Sequence, residues 1–296
     1  GWERTTTTNV GIDFAFFNNR LSGSVDVYNK YTTDLLGYQP ADPTSGWSFA
    51  YNNLGDLKNQ GVEFQLSTIN IASKKLRWTT DFTLAYNENK IISLARANTL
   101  TASGKVNASL LEGYPAYSVF AYNYGGLDAS GNPYAFKANG KDTARRSGDL
   151  TIADPLHMGT TQPLWYGGIT NNITYGQFTL SFLVVYNLGN VMRRDVNQFY
   201  TGRLTTNLPN YVTERWKKPG DEATTNVPRY TGNTAQNGLR FVNLYTQANT
   251  NVVSASYAKL RDMSLTYALP KIVSDKLSMS DCSVYAQLNN VMLWQN

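Results

Sequence analysis

Residues 10–16, Val10-Gly11-Ile12-Asp13-Phe14-Ala15-Phe16, put every large apolar side chain on one face and leave Gly11, Asp13 and Ala15 on the other. A period of two is the signature of an extended strand with one apolar face. The polar turn Asn18-Asn19-Arg20 follows. Beyond it Leu21, Val25, Val27 and Tyr31 alternate with Ser22, Ser24, Asp26, Tyr28 and Lys30. Two alternating strands around a short polar turn make a hairpin.

The same unit recurs along the chain. Val62, Phe64 and Leu66 interleave with Glu63, Gln65 and Ser67. Across a turn of Ala72, Ser73, Lys74 and Lys75, Trp78, Phe82 and Leu84 interleave with Arg77, Asp81 and Thr83. A third hairpin runs from Trp165, Ile169 and Ile173 through Gly176-Gln177 to Phe178, Leu180, Phe182, Val184 and Tyr186. A fourth joins Met263, Leu265 and Tyr267 to Val284, Ala286 and Leu288 through a longer connection that begins at Pro270. The pattern predicts about eight strands. The connections at 35–57, 90–163 and 189–254 are long and rich in Gly, Asn, Asp, Pro and Tyr, and the longest has room for further strands.

Tight turns at one end and long loops at the other, with strands of roughly ten alternating residues, describe an all-β transmembrane antiparallel barrel. The composition agrees. Only 42% of the 296 residues are hydrophobic and the mean hydropathy is -0.37. No apolar run is long enough for a membrane-spanning helix. A barrel needs none, because alternate residues face lipid and a polar lumen. The aromatic content of 13%, with Tyr 20 and Trp 6, suits girdles at the two membrane interfaces. A soluble β-sandwich or propeller would also alternate, and the loop asymmetry is what separates the barrel from it.

Little in the sequence points to catalysis. His157 is the only histidine, which excludes metal sites built on several histidines and leaves any Ser-His-Asp triad dependent on one loop residue. The lone Cys282 excludes an internal disulfide. Gly125-Gly126-Leu127-Asp128 and Ser130-Gly131-Asn132-Pro133 read as tight turns, without the Lys-Ser/Thr ending of a phosphate loop. Asp128, Ser130 and Asn132 have the spacing of calcium ligands but lack the downstream glutamate, so no metal site is expected. No cofactor is expected either. The formal charge of +5 is modest and scattered, and the pair Lys217-Lys218 beside Trp216 is too slight a basis for nucleic-acid binding.

On the inferred lumen face, Asp26, Glu63, Arg77 and Asp81 read as a hydrated lining. The loop aromatics Trp47, Phe49, Tyr51, Tyr114, Tyr117, Phe120, Tyr122 and Tyr124 can stack on sugars, pack on a peptide or partner, or belong to a girdle or hidden strand. Trp47, Tyr114, Tyr117 and Trp216 are the candidates for ligand or partner contact.

Ordered segments resemble SusC-like TonB-dependent transporters. They are Asn9-Val10-Gly11-Ile12-Asp13 with Asn18-Asn19-Arg20-Leu21-Ser22-Gly23; Tyr28 with Thr32-Thr33-Asp34-Leu35-Leu36; and Leu54-Gly55-Asp56-Leu57-Lys58-Asn59-Gln60-Gly61-Val62-Glu63. Glu112-Gly113-Tyr114-Pro115, Tyr124-Gly125-Gly126-Leu127-Asp128 with Gly131-Asn132-Pro133, and Arg215-Trp216-Lys217-Lys218-Pro219-Gly220-Asp221 follow. Ser256-Tyr257-Ala258-Lys259-Leu260-Arg261-Asp262, leading to Leu265, Tyr267, Leu269 and Pro270, completes the series. Each motif is weak alone. Their order and spacing along the whole chain are specific.

The resemblance implies a multi-pass outer-membrane barrel of about 22 strands with a plug and a TonB box. It further implies a SusD-like surface lipoprotein as partner and the TonB-ExbB-ExbD system as the source of power, for import of an oligosaccharide or peptide. The segment 1–296 is read as a C-terminal part of that barrel, without the plug, the TonB box or the final strand. Gly1-Trp2-Glu3-Arg4 has no apolar leader, so an exported protein would have a longer precursor. A non-transporting barrel scaffold in an outer-membrane assembly is the alternative, and a secreted β-sandwich adhesin a third reading.

Overall fold

The computed structural model describes residues 2–40, 44, 46–95, 100–196, 210–232, 237–276, 278–280 and 282–295. It divides into two compact units. Unit 1 comprises Gly1–Ile92, Pro163–Asn190 and Ala255–Asn296, and unit 2 comprises Ser93–Gln162 and Val191–Ser254.

Unit 1 is an eight-stranded sheet of β1 (Arg4–Phe16), β2 (Leu21–Pro40), β3 (Phe49–Ala72), β4 (Leu76–Leu94), β10 (Trp165–Tyr175), β11 (Phe178–Leu188), β14 (Tyr257–Ala268) and β15 (Ser283–Gln295), joined in that order. The pairings of β1 with β2, β2 with β3, β4 with β10, β10 with β11, β11 with β14 and β14 with β15 are antiparallel and reproduce the expected faces. Val10 lies opposite Val27 and Ile12 opposite Val25. Val25 in turn lies opposite Phe64, Ile169 lies between Phe82 and Val184, and Leu265 lies between Leu180 and Ala286. The result is an apolar band across the whole sheet.

That band is open to the surroundings. Val10 and Ile12 are 65% and 67% exposed, and Val27, Leu265 and Leu288 are about half exposed. In water this much contiguous apolar surface would drive association, whereas in hydrocarbon it is the correct surface. Aromatic pairs mark both ends of the band. Tyr86 and Trp165 have ring centroids 4.5 Å apart at one end, and Phe178 and Tyr267 are 4.7 Å apart at the other. Trp165 and Tyr175 bound β10, which is about 33 Å long at the usual rise. Tilted by about 40°, that length spans about 25 Å, the height of an outer-membrane apolar band.

The connections also sort as expected, with one correction. The tight turns after β1, β3 and β10 and the link after β14, which contains the helix Lys271–Lys276, share one end of the sheet, and the long connections leave from the other. The expected loop at 35–57 is mostly strand, since β2 runs on to Pro40 and β3 begins at Phe49. The polar and glycine-rich composition there reflects an irregular ladder, with register shifts between Thr32 and Leu36 and positive φ at Asp34 and Gly55. A β-bulge breaks the period of two, and so hides a strand from its pattern.

At Gly167 a close approach fixes the residue type. A Cβ there would sit 2.0 Å from the Thr83 carbonyl oxygen and 2.6 Å from the Tyr186 hydroxyl. Tyr186 lies directly opposite across the ladder and donates its hydroxyl to that carbonyl at 2.8 Å. The glycine leaves room for the ring, and the ring covers the glycine.

Unit 2 folds the two longest connections together. It holds a pair of β5 (Ser118–Ala121) and β9 (Leu156–Thr160), a three-stranded sheet of β6 (Asn123–Leu127), β7 (Pro133–Phe136) and β8 (Thr143–Ala144), and a pair of β12 (Val191–Arg193) and β13 (Val252–Ser254). Its core joins Phe120, Tyr122 and Ala135 of the first connection to Leu244 of the second, all fully buried. A second cluster gathers Val196, Val212, Phe241 and Tyr245. Strands were therefore hidden in the longest loop, and Phe120 and Tyr122 belong to a core.

Candidate functional site

The polar face of unit 1 carries the expected charged side chains. Asp26 and Glu63 are direct cross-strand neighbours, and Asn9 donates to Asp26 at 3.4 Å. Ser67 donates to Asp81 at 2.6 Å, while Arg77 lies opposite Thr174. These are local, solvated contacts of the kind a polar lumen accommodates.

The four candidate aromatics separate. Trp47 is 75% exposed in the short connection of unit 1. Tyr117 is 52% exposed and held at φ 58, with its amide donating to the Ser109 carbonyl. Tyr114 instead packs on Phe120 and His157, with ring centroids 4.9 and 5.0 Å away. Trp216 lies flat on the turn at Gly131, where a Cβ would come within 2.3 Å of its ring, and its indole N–H donates to Glu222 at 2.9 Å. Phe49 keeps its strand position at the start of β3, and its side chain lies outside the described residues.

The Asp128 turn is a structural staple. The Asp128 carboxylate accepts the amides of Ser130 and Asn132 at 3.0 Å each, the Asn132 side chain at 3.1 Å, and the Arg240 guanidinium at 2.8 Å. Burial pushes this carboxyl up, but those donors and the Arg240 charge outweigh it and hold it below the usual carboxylate range. Its lone pairs serve protein donors, and no group of three potential metal ligands occurs among the described residues.

Around this staple unit 2 forms a cleft of about 910 Å³. Five cations line it: Lys137, Arg145, Arg146, Arg229 and Arg240. Among the described residues the other lining side chains are two asparagines, a threonine and Asp149, with nothing apolar or aromatic. The fold places each cation. Lys137 follows β7, Arg145 and Arg146 follow β8, and Arg229 sits where its amide donates to Gly131 O at 3.0 Å. Arg240 projects from a π-helix, Gly238–Tyr245, a helix form that recurs at functional positions.

The cations are unevenly neutralised. Arg240 pairs with Asp128, and Arg146 makes an exposed 3.5 Å pair with Asp149. Arg229 donates its Nε to Asn132 at 2.9 Å and stacks 5.6 Å from the Phe241 ring centre. Among the described residues Lys137, Arg145 and Arg229 have no ion-pair partner. Burial lowers the Arg240 guanidinium from its ordinary value; Asp128 opposes this, and Arg145 and Arg229 push it further down. Five of the 26 lysines and arginines, dispersed in the sequence, are thus gathered in one place. The signal available was the run 137–146, with Lys137, Lys141, Arg145 and Arg146 in ten residues. The two remaining cations come from the other connection.

Comparison with known proteins gives a consistent result. The model of the TonB-dependent receptor-like β-barrel family matches residues 1–291. TonB-dependent receptor P39 of Formosa agariphila is 28% identical over 100% of this chain and 32% of its own length. TonB-dependent receptor SusC of Bacteroides thetaiotaomicron is 30% identical over 66% of this chain and 20% of its own. The RagAB peptide transporter structure shares the fold, with a TM-score of 0.79 at 23% identity, over 99% of this chain and 32% of that one. The chain spans about a third of the length of the first relatives it matches. These relatives are receptors and transporters rather than enzymes.

Proposed function

We infer that this chain, which belongs to the TonB-dependent receptor-like β-barrel family of the outer membrane, is part of an importer of a large nutrient, an oligosaccharide or a peptide. On this reading a SusD-like lipoprotein closes over the ligand, and TonB-ExbB-ExbD powers uptake through a plug and TonB box carried elsewhere in a longer protein.

The observation that carries the reading is the two-faced sheet. Its exposed apolar band suits lipid, its other face is polar, and the outer sides of β1 and β15 have no partner among the described residues. Unpaired backbone in hydrocarbon costs several kcal/mol per group. Further strands are therefore expected to close the barrel around the polar face, with the segment 1–296 supplying its C-terminal part. Of the loop aromatics, Trp47 and Tyr117 have the exposed rings suited to ligand or lipoprotein contact, while Tyr114 and Trp216 contribute through packing.

The test is uptake of labelled oligosaccharide and peptide pools by the native bacterium, its in-frame deletion strain and a TonB-deficient strain. Import of one pool is expected to disappear in both mutants. Uptake unchanged in both would overturn the importer and favour a scaffold.

A further inference from the structure

We propose that the unit 2 cleft is a binding subsite for an anionic oligosaccharide, one carrying carboxylate or sulfate ester groups, recognised by Lys137, Arg145, Arg146, Arg229 and Arg240. The proposal rests on the importer reading and narrows its ligand.

The cleft is large enough for several sugar units. Its volume of about 910 Å³ falls at the upper end of ordinary ligand sites. Its charge is unbalanced. With Asp128 and Asp154 included, five cations face three carboxylates, a surplus of two. Asp154, which also feels Lys137, has both oxygens occupied, by the amides of Thr151 and Ala138 and the Thr151 hydroxyl. Like charges gathered in a partly buried concavity repel one another, and an anionic ligand relieves that cost. Four of the five are arginines, whose planar forks match carboxylate and sulfate oxygens in pairs.

The lining also decides against other ligands. Neutral sugars and nucleic-acid bases are held by stacking on aromatic rings, and no ring lines the cleft among the described residues. Peptide grooves combine a strand edge with apolar side-chain pockets, and no apolar side chain among the described residues lines it either. The ligand that suits this surface is polar throughout and charged on most of its units.

Two of the arginines are held ready before any ligand arrives. Arg240 is fixed by Asp128 and by its Nε donating to the Pro133 carbonyl at 2.9 Å. Arg229 is fixed by Asn132 and the Phe241 ring. Fixed side chains lose less entropy on binding. Arg145, exposed and without an ion pair among the described residues, is the free arm.

The test is calorimetry on the full-length transporter, extracted in detergent with whatever subunits accompany it. The probes are tri-galacturonate, its fully methyl-esterified neutral form, a sulfated trisaccharide and tri-glutamate. Binding is expected for tri-galacturonate or the sulfated trisaccharide, weakening as salt rises, and not for the methyl ester. Arg145→Gln with Arg229→Gln should weaken it at least tenfold, with elution profile and subunit composition unchanged. Failure of both acidic sugars to bind, equal binding of the methyl ester, stronger binding of tri-glutamate, or an unaffected double variant would each overturn the proposal. Because binding needs no TonB, loss of binding with uptake intact contradicts this subsite alone, whereas binding without TonB-dependent uptake contradicts the importer.

Discussion

Asp128 and Arg240 are 112 residues apart in the sequence and meet in a 2.8 Å ion pair. Each belongs to a different long connection, so the pair clamps the two halves of unit 2 together beside the cationic cleft. Removing the carboxylate would strand a partly buried guanidinium and two turn amides.

Asp128→Asn keeps an oxygen for the turn but loses the charge. It should cost about 1–2 kcal/mol, and Asp128→Ala more, since an orphaned buried donor carries its full desolvation penalty. The readout is proteolytic cleavage of unit 2 in the assembled barrel, faster in both variants. The Asp128 carboxyl is held low in the folded state, so its contribution is complete above the unfolded value of about 4 and is lost as pH falls through the lower folded value.

His157 should make unit 2 weaken at an earlier point on acidification. It packs against both the Tyr114 and Phe120 rings, which also touch each other, and lies within 3.1 Å of the Ser118 hydroxyl. Burial lowers its pKa, outweighing a backbone hydrogen bond with Gly159, and Lys105 adds to the lowering. The unfolded chain then takes up the proton more readily. Stability is complete above the unfolded value of about 6.5 and falls between that and the lower folded value. Relative to the intrinsic chemical rate, which itself slows on acidification, hydrogen exchange of β5 and β9 amides should accelerate from pH 7.5 to pH 5.5, and His157→Gln should flatten that dependence. An equal acceleration in the variant would remove His157 as the cause.

Gly131→Ala should disturb unit 2 more than a surface change of that size. Gly131 has φ 71, and an added methyl would meet the Trp216 ring at 2.3 Å. The left-handed conformation alone costs about 1–2 kcal/mol for a residue with a Cβ, and displacing Trp216 breaks its bond to Glu222. A red shift and quenching of tryptophan fluorescence would report the displacement.

Adjacent residues of β10 test the two faces. Ile169 lies on the apolar face and Thr170 on the polar one, opposite Asp81. Ile169→Arg should cost about 2–4 kcal/mol, the penalty for a cation near the bilayer midplane. Thr170→Arg should cost little, because Asp81 faces it. Urea unfolding of the barrel in liposomes measures both, and equal costs would refute the lipid-facing assignment.

What the sequence reveals of this molecule depends on the length of each element. Strands such as β10 and β11, 11 residues each, repeat their alternation often enough to be read. Met263, Leu265 and Tyr267 fall opposite Leu288, Ala286 and Val284 as the pattern requires. Strands of two to five residues, such as β5 and β8, carry no readable period. Phe120 and Tyr122 consequently look like loop aromatics, although both are fully buried. The cleft is illegible for another reason: Lys137 and Arg240 become neighbours only once β7 and the π-helix pack together.

The most direct test of the whole account is native mass spectrometry of the protein extracted from outer membranes with its co-purifying subunits. A chain about three times the 33.0 kDa of this segment is expected, in keeping with the 32% of its relative that the segment covers, accompanied by a surface lipoprotein. A native chain of 33.0 kDa with no partner would contradict it.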